Sequence, residues 1–134
     1  MKKEAIHFCY IQLPISEDIK NLRSAQKGHP VQLKFSNRTH SYATLELVDQ
    51  NGHPKHLKDI APKKAWSFNT FEGQYFIAYE KGKKHDKLAL NYGQFWKATK
   101  PHIPNFVEKV LITEGKATIS CVNYCLQNSF TTEF

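Results

Sequence analysis

No stretch of the sequence comes near the roughly 18 uninterrupted apolar residues that a membrane-crossing helix needs. The longest apolar runs are as short as Tyr75-Phe76-Ile77-Ala78-Tyr79. A helical membrane protein is thereby excluded, and no membrane partner is expected. Cysteine is scarce. Cys9, Cys121 and Cys125 are odd in number and too few for a disulfide framework. The N-terminus carries Lys2 and Lys3, but Glu4, His7 and Gln12 interrupt the apolar residues after them, and no small-residue cleavage site appears. A secretory signal is therefore not read, and a reducing, cytoplasmic setting is expected, with a nuclear one or signal-independent export left open. Arginine is nearly missing too: only Arg23 and Arg38 stand among 19 basic residues. Base-edge readout leans on arginine, so sequence-specific nucleic-acid binding is not the first expectation. The motifs HExxH, Gly-x-Ser-x-Gly, the P-loop and Gly-x-Gly-x-x-Gly are all absent, as are internal repeats, low-complexity tracts and linkers.

What is present suits one folded domain over residues 1–134. The chain is 40% hydrophobic and 13% aromatic, and its charged residues, 23%, are scattered. The net charge of +7 and a pI near 9.3 favour acidic partners. Cys121 and Cys125, four apart, share one face of a helix or of a strand, but no histidine stands at ligand spacing. No metal or cofactor is expected, and the three thiols read as buried structural cysteine.

The dominant signal is period two. Val31, Leu33 and Phe35 alternate with Gln32 and Lys34, and Ala43, Leu45 and Leu47 alternate with Thr44 and Glu46. Asp49-Gln50-Asn51-Gly52 then signals a turn. Further strands are predicted over Lys55 to Ile60, through Trp66, Phe68 and Thr70, and over Gln74 to Glu80, the last apolar on both faces. Lys81 to Lys87 reads as a charged turn, and Leu88, Leu90 and Tyr92 as the start of a strand ending near Trp96. Pro101 and Pro104 exclude helix around them. Phe106 to Thr113 and Ala117 to Tyr124, joined by Glu114-Gly115-Lys116, suggest a C-terminal hairpin. At the other end Ala5 to Leu13 reads as a strand, and Ser16-Glu17-Asp18 as the start of one short helix that buries Ile19 and Leu22. The expected fold is an all-β antiparallel sandwich of seven or eight strands with at most one short helix near the N-terminus.

Seven histidines raise the question of catalysis. His53 and His56 flank Pro54 without a carboxylate or second ligand at a familiar spacing, and His85-Asp86 sits in the lysine-rich turn. No nucleophile or carboxylate pair is singled out, so the chain is not read as an enzyme. The aromatics are more telling. Nine crowd between Trp66 and Trp96, and both faces of the Gln74–Glu80 strand carry them. A small sandwich has one interior, so some rings, Phe71 and Phe76 foremost, are expected on an exposed partner face.

One family pattern runs through this region. Leu22-Arg23-Ser24, Pro30, Gln32, Phe35, Asn37-Arg38, Gly52, Pro54, Pro62 and Gly73 follow it without a gap. His85-Asp86 and Leu88-x-Leu90-Asn91 follow after one inserted residue. From Leu22 to about Trp96 the chain resembles the β domain of the von Hippel–Lindau tumour suppressor; residues 1–21 and 97–134 are additional strands or extensions. The resemblance implies a seven-stranded sandwich that recognises a hydroxyproline peptide, laid along a sheet edge, for a ubiquitin ligase. The pocket positions depart from the family's. Leu47 stands for a Trp wall, Leu57 for a Tyr, Asn69-Thr70-Phe71 for a His-Ser-Tyr triplet, Gln74 for a His and Phe76 for a second Trp. The family's three-helix elongin C-binding domain has no room before Phe134. Ser120 to Gln127 matches its first helix only in Cys125-Leu126-Gln127, so elongin C is not expected as a partner.

The resulting expectation is a non-catalytic module that takes a protein or peptide ligand on Leu47, Leu57, Asn69, Thr70, Phe71, Gln74 and Phe76. Two alternatives stand beside it. One is a small hydrolase or carbohydrate-active sandwich using His53, His56 or His85. The other is a basic nucleic-acid surface built on Lys55, Lys58, Lys63, Lys64 and the lysines from Lys81 to Lys87.

Overall fold

The computed structural model describes residues 5–12, 21–115 and 118–125, and the side chains of 21–115. The described residues are all-β: β1 (Ala5–Gln12), β2 (Pro30–Asn37), β3 (Ala43–Val48), β4 (Pro54–Ile60), β5 (Ala65–Phe71), β6 (Tyr75–Glu80), β7 (Lys83–Leu90), β8 (Trp96–Lys97), β9 (Val107–Glu114) and β10 (Thr118–Cys125). No helix among them is long and apolar enough to cross a membrane. The pairings fall into two units. In one, β1 and β10 form an antiparallel ladder with Cys9 opposite Cys121 and Ala5 opposite Cys125. The other is an eight-stranded sheet in the order β4-β3-β6-β7-β9-β2-β5, with β8 added to β6.

Two pairings differ from expectation. The C-terminal hairpin does not form, because both edges of β9 are taken, by β2 in parallel and by β7 antiparallel, so β10 pairs with β1 instead. The sheet is accordingly mixed rather than wholly antiparallel. The crossover from β2 to β9 consists of the six intervening strands. The predicted helix at Ser16-Glu17-Asp18, the burial of Ile19 and the burial of the three cysteine side chains fall outside the described residues. Leu22 is buried as expected, but outside any helix or strand.

The layered packing of a sandwich is made here by one continuous sheet that curls. Phe35 on β2 and Phe76 on β6 are three strand spacings apart in the sheet order, about 14 Å along a flat sheet. Their ring centroids nevertheless lie 5.2 Å apart. The alternating residues Val31, Leu33 and Phe35 meet Leu45, Phe76, Leu90, Val110 and Ile112 in a single core. Burying each such large side chain stabilises the fold by about 1.5–3 kcal/mol.

The other face of β6 is covered as well. Leu22, Val48 and Ile77 form a second cluster with Tyr75 and Phe95 packed against it. Ser24 pins the chain there, its hydroxyl donating to the Val48 carbonyl and accepting the Tyr75 amide at 2.8 Å. Asn37, wholly buried, ties β2 to the ends of β3 and β4. Its amide donates to the carbonyls of Ser41 and Ile60 at 2.9 Å each and accepts from the Thr39 hydroxyl at 2.7 Å. The β3–β4 turn closes with the Gly52 amide donating to the Asp49 carbonyl at 3.0 Å, Gly52 taking φ 86°.

Candidate functional site

The sheet stops at β4 on one side and β5 on the other, and these two strands do not pair. The curl brings them to the same core, so a seam runs between two free strand edges. Its floor is half-buried and apolar: Leu57 from β4, and Trp66 and Phe68 from β5, pack against the core. The Trp66 and Phe68 rings stack with centroids 5.1 Å apart, and Phe68 meets Phe76 edge-on at 6.2 Å. The Lys58 ammonium, reaching from β4, sits 5.9 Å from the Trp66 ring centre. Leu57 projects here because β4 carries a bulge. Glu46 pairs with His56 and Leu45 with Lys58, leaving Leu57 as the extra residue.

The predicted site residues divide among three places. Leu47 and Leu57 are half-buried against the core, and Thr70 follows Trp66 and Phe68 on the inward face of β5. Asn69 points the opposite way, outward, and Phe71, at the strand end and expected to be exposed, is half-buried. Gln74 is buried and donates to the Ala25 carbonyl at 2.9 Å, a structural bond. The exposed ring expected at Phe76 is corrected: Phe76 is 0% exposed. A single interior leaves no ring over at this position, because β6 is a central strand whose second face is sealed by Leu22 and Phe95. Truncating Phe76 would remove core packing worth about 3–5 kcal/mol, so it is no probe of a surface. The spacing of Trp66 and Phe68 marks them as an inward-facing pair. Their place at an open edge is not legible in that spacing, because strand order is a tertiary fact. The Trp96 indole N–H is also buried and has no acceptor among the described residues.

The histidines do find carboxylates. His56 Nε2 lies 3.0 Å from Asp59 Oδ1, which also accepts from the Thr44 hydroxyl at 2.9 Å, and Lys81 is 3.4 Å from Oδ2. The hydrogen bond with His56, foremost, holds the Asp59 carboxyl below its ordinary range. His56 and Asp59 lie on β4, with the His56 side chain 60% accessible, while Thr44 reaches them from β3 and Lys81 from the end of β6. His53 Nδ1 is 3.9 Å from Asp49 Oδ2. The Asp49 carboxylate accepts the amides of Asn51 and His53 at 2.8 Å each, the His53 bond foremost lowering its pKa, which is turn chemistry. Among the described residues no three His, Cys, Asp or Glu side chains gather as metal ligands. Of the lysines of the basic-surface reading, Lys63 donates to the Arg38 carbonyl at 2.9 Å, Lys81 meets Asp59 at 3.4 Å and Lys83 pairs with Glu80 at 3.1 Å. Compared with protein-family models and with curated proteins, the chain finds no match.

Proposed function

We propose that the protein is a non-catalytic peptide-recognition module in which an extended peptide adds as a strand to the free edge of β5. One observation carries the reading: β5 is paired on one side only, as is β4, and half-buried Leu57 of β4 and Trp66 and Phe68 of β5 pack against the same core, with the Lys58 ammonium of β4 5.9 Å from the Trp66 ring centre. Main-chain hydrogen bonds to the β5 edge supply affinity, and alternate peptide side chains set against Phe68 and Thr70 supply selectivity. The resemblance to the von Hippel–Lindau β domain points the same way, with Leu57 and Thr70 at two of its pocket positions. No imidazole stands with them there, so discrimination for a hydroxyl on the ligand falls to Thr70.

The test is selection from a displayed library of extended peptides, with matched proline and hydroxyproline sequences included, followed by calorimetry. A selected peptide should lose binding when its alternate backbone amides are methylated, and should weaken about tenfold or more with Phe68→Ser. Selected peptides indifferent to both changes, or no selectable peptide at all, would refute the edge as the docking site.

A further inference from the structure

The outward face of β5, β2 and β9 carries a second, independent feature. Burial alternates in register across these strands, so that outward residues form rows. Gln32 lies between Asn69 and Val107, and Lys34 between Ser67 and Lys109. Apart from Glu114, exposed at the far end of β9, no exposed position of the three strands is acidic, and none from Thr99 to Phe106 is. Glu108 alternates to the core side, opposite buried Leu33. Glu72, at the rim, is engaged by His29, accepting its backbone amide at 3.3 Å with the imidazole at 3.6 Å. Lys34 and Lys109 thus stand side by side on this face with no acidic residue in their own row or the next ones.

At one end the face opens into a cavity of about 360 Å3, lined by Gln32, His29, Lys100, His102 and Phe106. Its walls are stiff: Pro30, Pro101 and Pro104 constrain the backbone, and Asn105 is held at φ 63°. Phe106 is 46% exposed, and neighbouring Val107 is 40% exposed. The paired lysines Lys34 and Lys109, the exposed aromatic Phe106 beyond them and the amides of Gln32 and Asn69 between fit one kind of polyanion. Phosphates meet the ammonium groups, a base stacks on the ring, and amides reach base edges.

We propose that this face binds single-stranded nucleic acid, with Lys34 and Lys109 on the backbone and one base stacked on Phe106 in the cavity. The platform separates this from attraction of any polyanion to a basic chain, because a duplex hides its base faces and an acidic peptide has none. The nearly missing arginine makes the binding tolerant of sequence.

The experiment is fluorescence anisotropy of a labelled strand of about 12 nucleotides, as RNA and as DNA, with the duplex and polyglutamate as competitors. The single strand should bind more tightly than either competitor. Lys34→Gln with Lys109→Gln should weaken it and lower the slope of log affinity against log salt by roughly two. Phe106→Ala should weaken it about fivefold or more, and Phe106→Tyr, which keeps the platform, should not. Lys84→Gln, on another surface, should leave it unchanged. No binding at about 50 mM salt, equal competition by duplex or polyglutamate, indifference to these changes, or an equal loss with Lys84→Gln would each overturn the proposal.

Discussion

Tyr79 and Glu46 meet on the outward side of β6 and β3, the phenol donating to Glu46 Oε2 at 2.9 Å with both side chains buried. Burial above all, then this bond and the negative charge beside it, push the Tyr79 hydroxyl up to about 12. An unfolded tyrosine ionises near about 10. The folded state therefore keeps its proton longer than the unfolded one. The stabilisation is complete below about pH 10 and is lost as pH rises from there through about 12. Tyr79→Phe should abolish that alkaline loss. It should also cost about 1–3 kcal/mol near neutral pH, because Glu46 is left buried without its donor. Urea unfolding of both proteins on either side of pH 10 measures each effect. The alternation in the sequence places Tyr75, Ile77 and Tyr79 on one face. It does not show that a carboxylate from β3 waits under that face, since Glu46 reads as the solvent member of an alternating strand.

Among the elements, strands are legible wherever one face is buried along their whole length, as in β2, β3 and β5. They escape detection where that condition fails. Lys83 to Lys87 reads as a turn, yet it is the first half of β7. β9 reaches β7 only at Leu88 to Leu90, so the earlier residues pair with β6 alone and have no core to alternate against. Tyr92 continues that strand in the sequence pattern. The chain turns at Asn91 and Tyr92 instead, with φ 48° and 68°, and the Asn91 carboxamide accepts the Leu111 amide at 2.7 Å. A local pattern carries no trace of a partner twenty residues away. The turn entering β6 is better marked by its glycine. Gly73 takes φ 90°, and a Cβ there would stand 2.6 Å from the Ala25 Cβ, while the Gly73 carbonyl accepts the Ala25 amide at 3.0 Å. Gly73→Ala should therefore destabilise the protein by about 1–3 kcal/mol, against little change for Gly82→Ala beyond its own φ cost, since nothing lies within 4 Å of that position. Thermal unfolding of the two variants makes the comparison.

At the scale of the eight-stranded sheet, the defining contacts are non-local: Gln32 lies beside Asn69 on one side and beside Val107 on the other. Closing such long loops before any contact rewards them makes folding slow. Refolding followed by Trp66 and Trp96 fluorescence should accordingly fall in the range of about milliseconds to seconds; a microsecond phase accounting for the whole signal would contradict this topology. The same topology separates two surfaces on one strand, since Trp66, Phe68 and Thr70 of β5 turn to the seam while Ser67 and Asn69 turn to the opposite face. Alternation of apolar and polar side chains, together with glycine and proline at the turns, was enough for the amino-acid sequence to determine an all-β chain, most of its strands and most of its core. Those features depend on interactions within a few residues and on a period of two. Strand order, the parallel join of β2 to β9, the curl that opposes β4 to β5 and the sealing of Phe76 belong to the tertiary structure alone. Each depends on which of several chemically similar edges meet, and that choice is made by the packing of the whole sheet around its core.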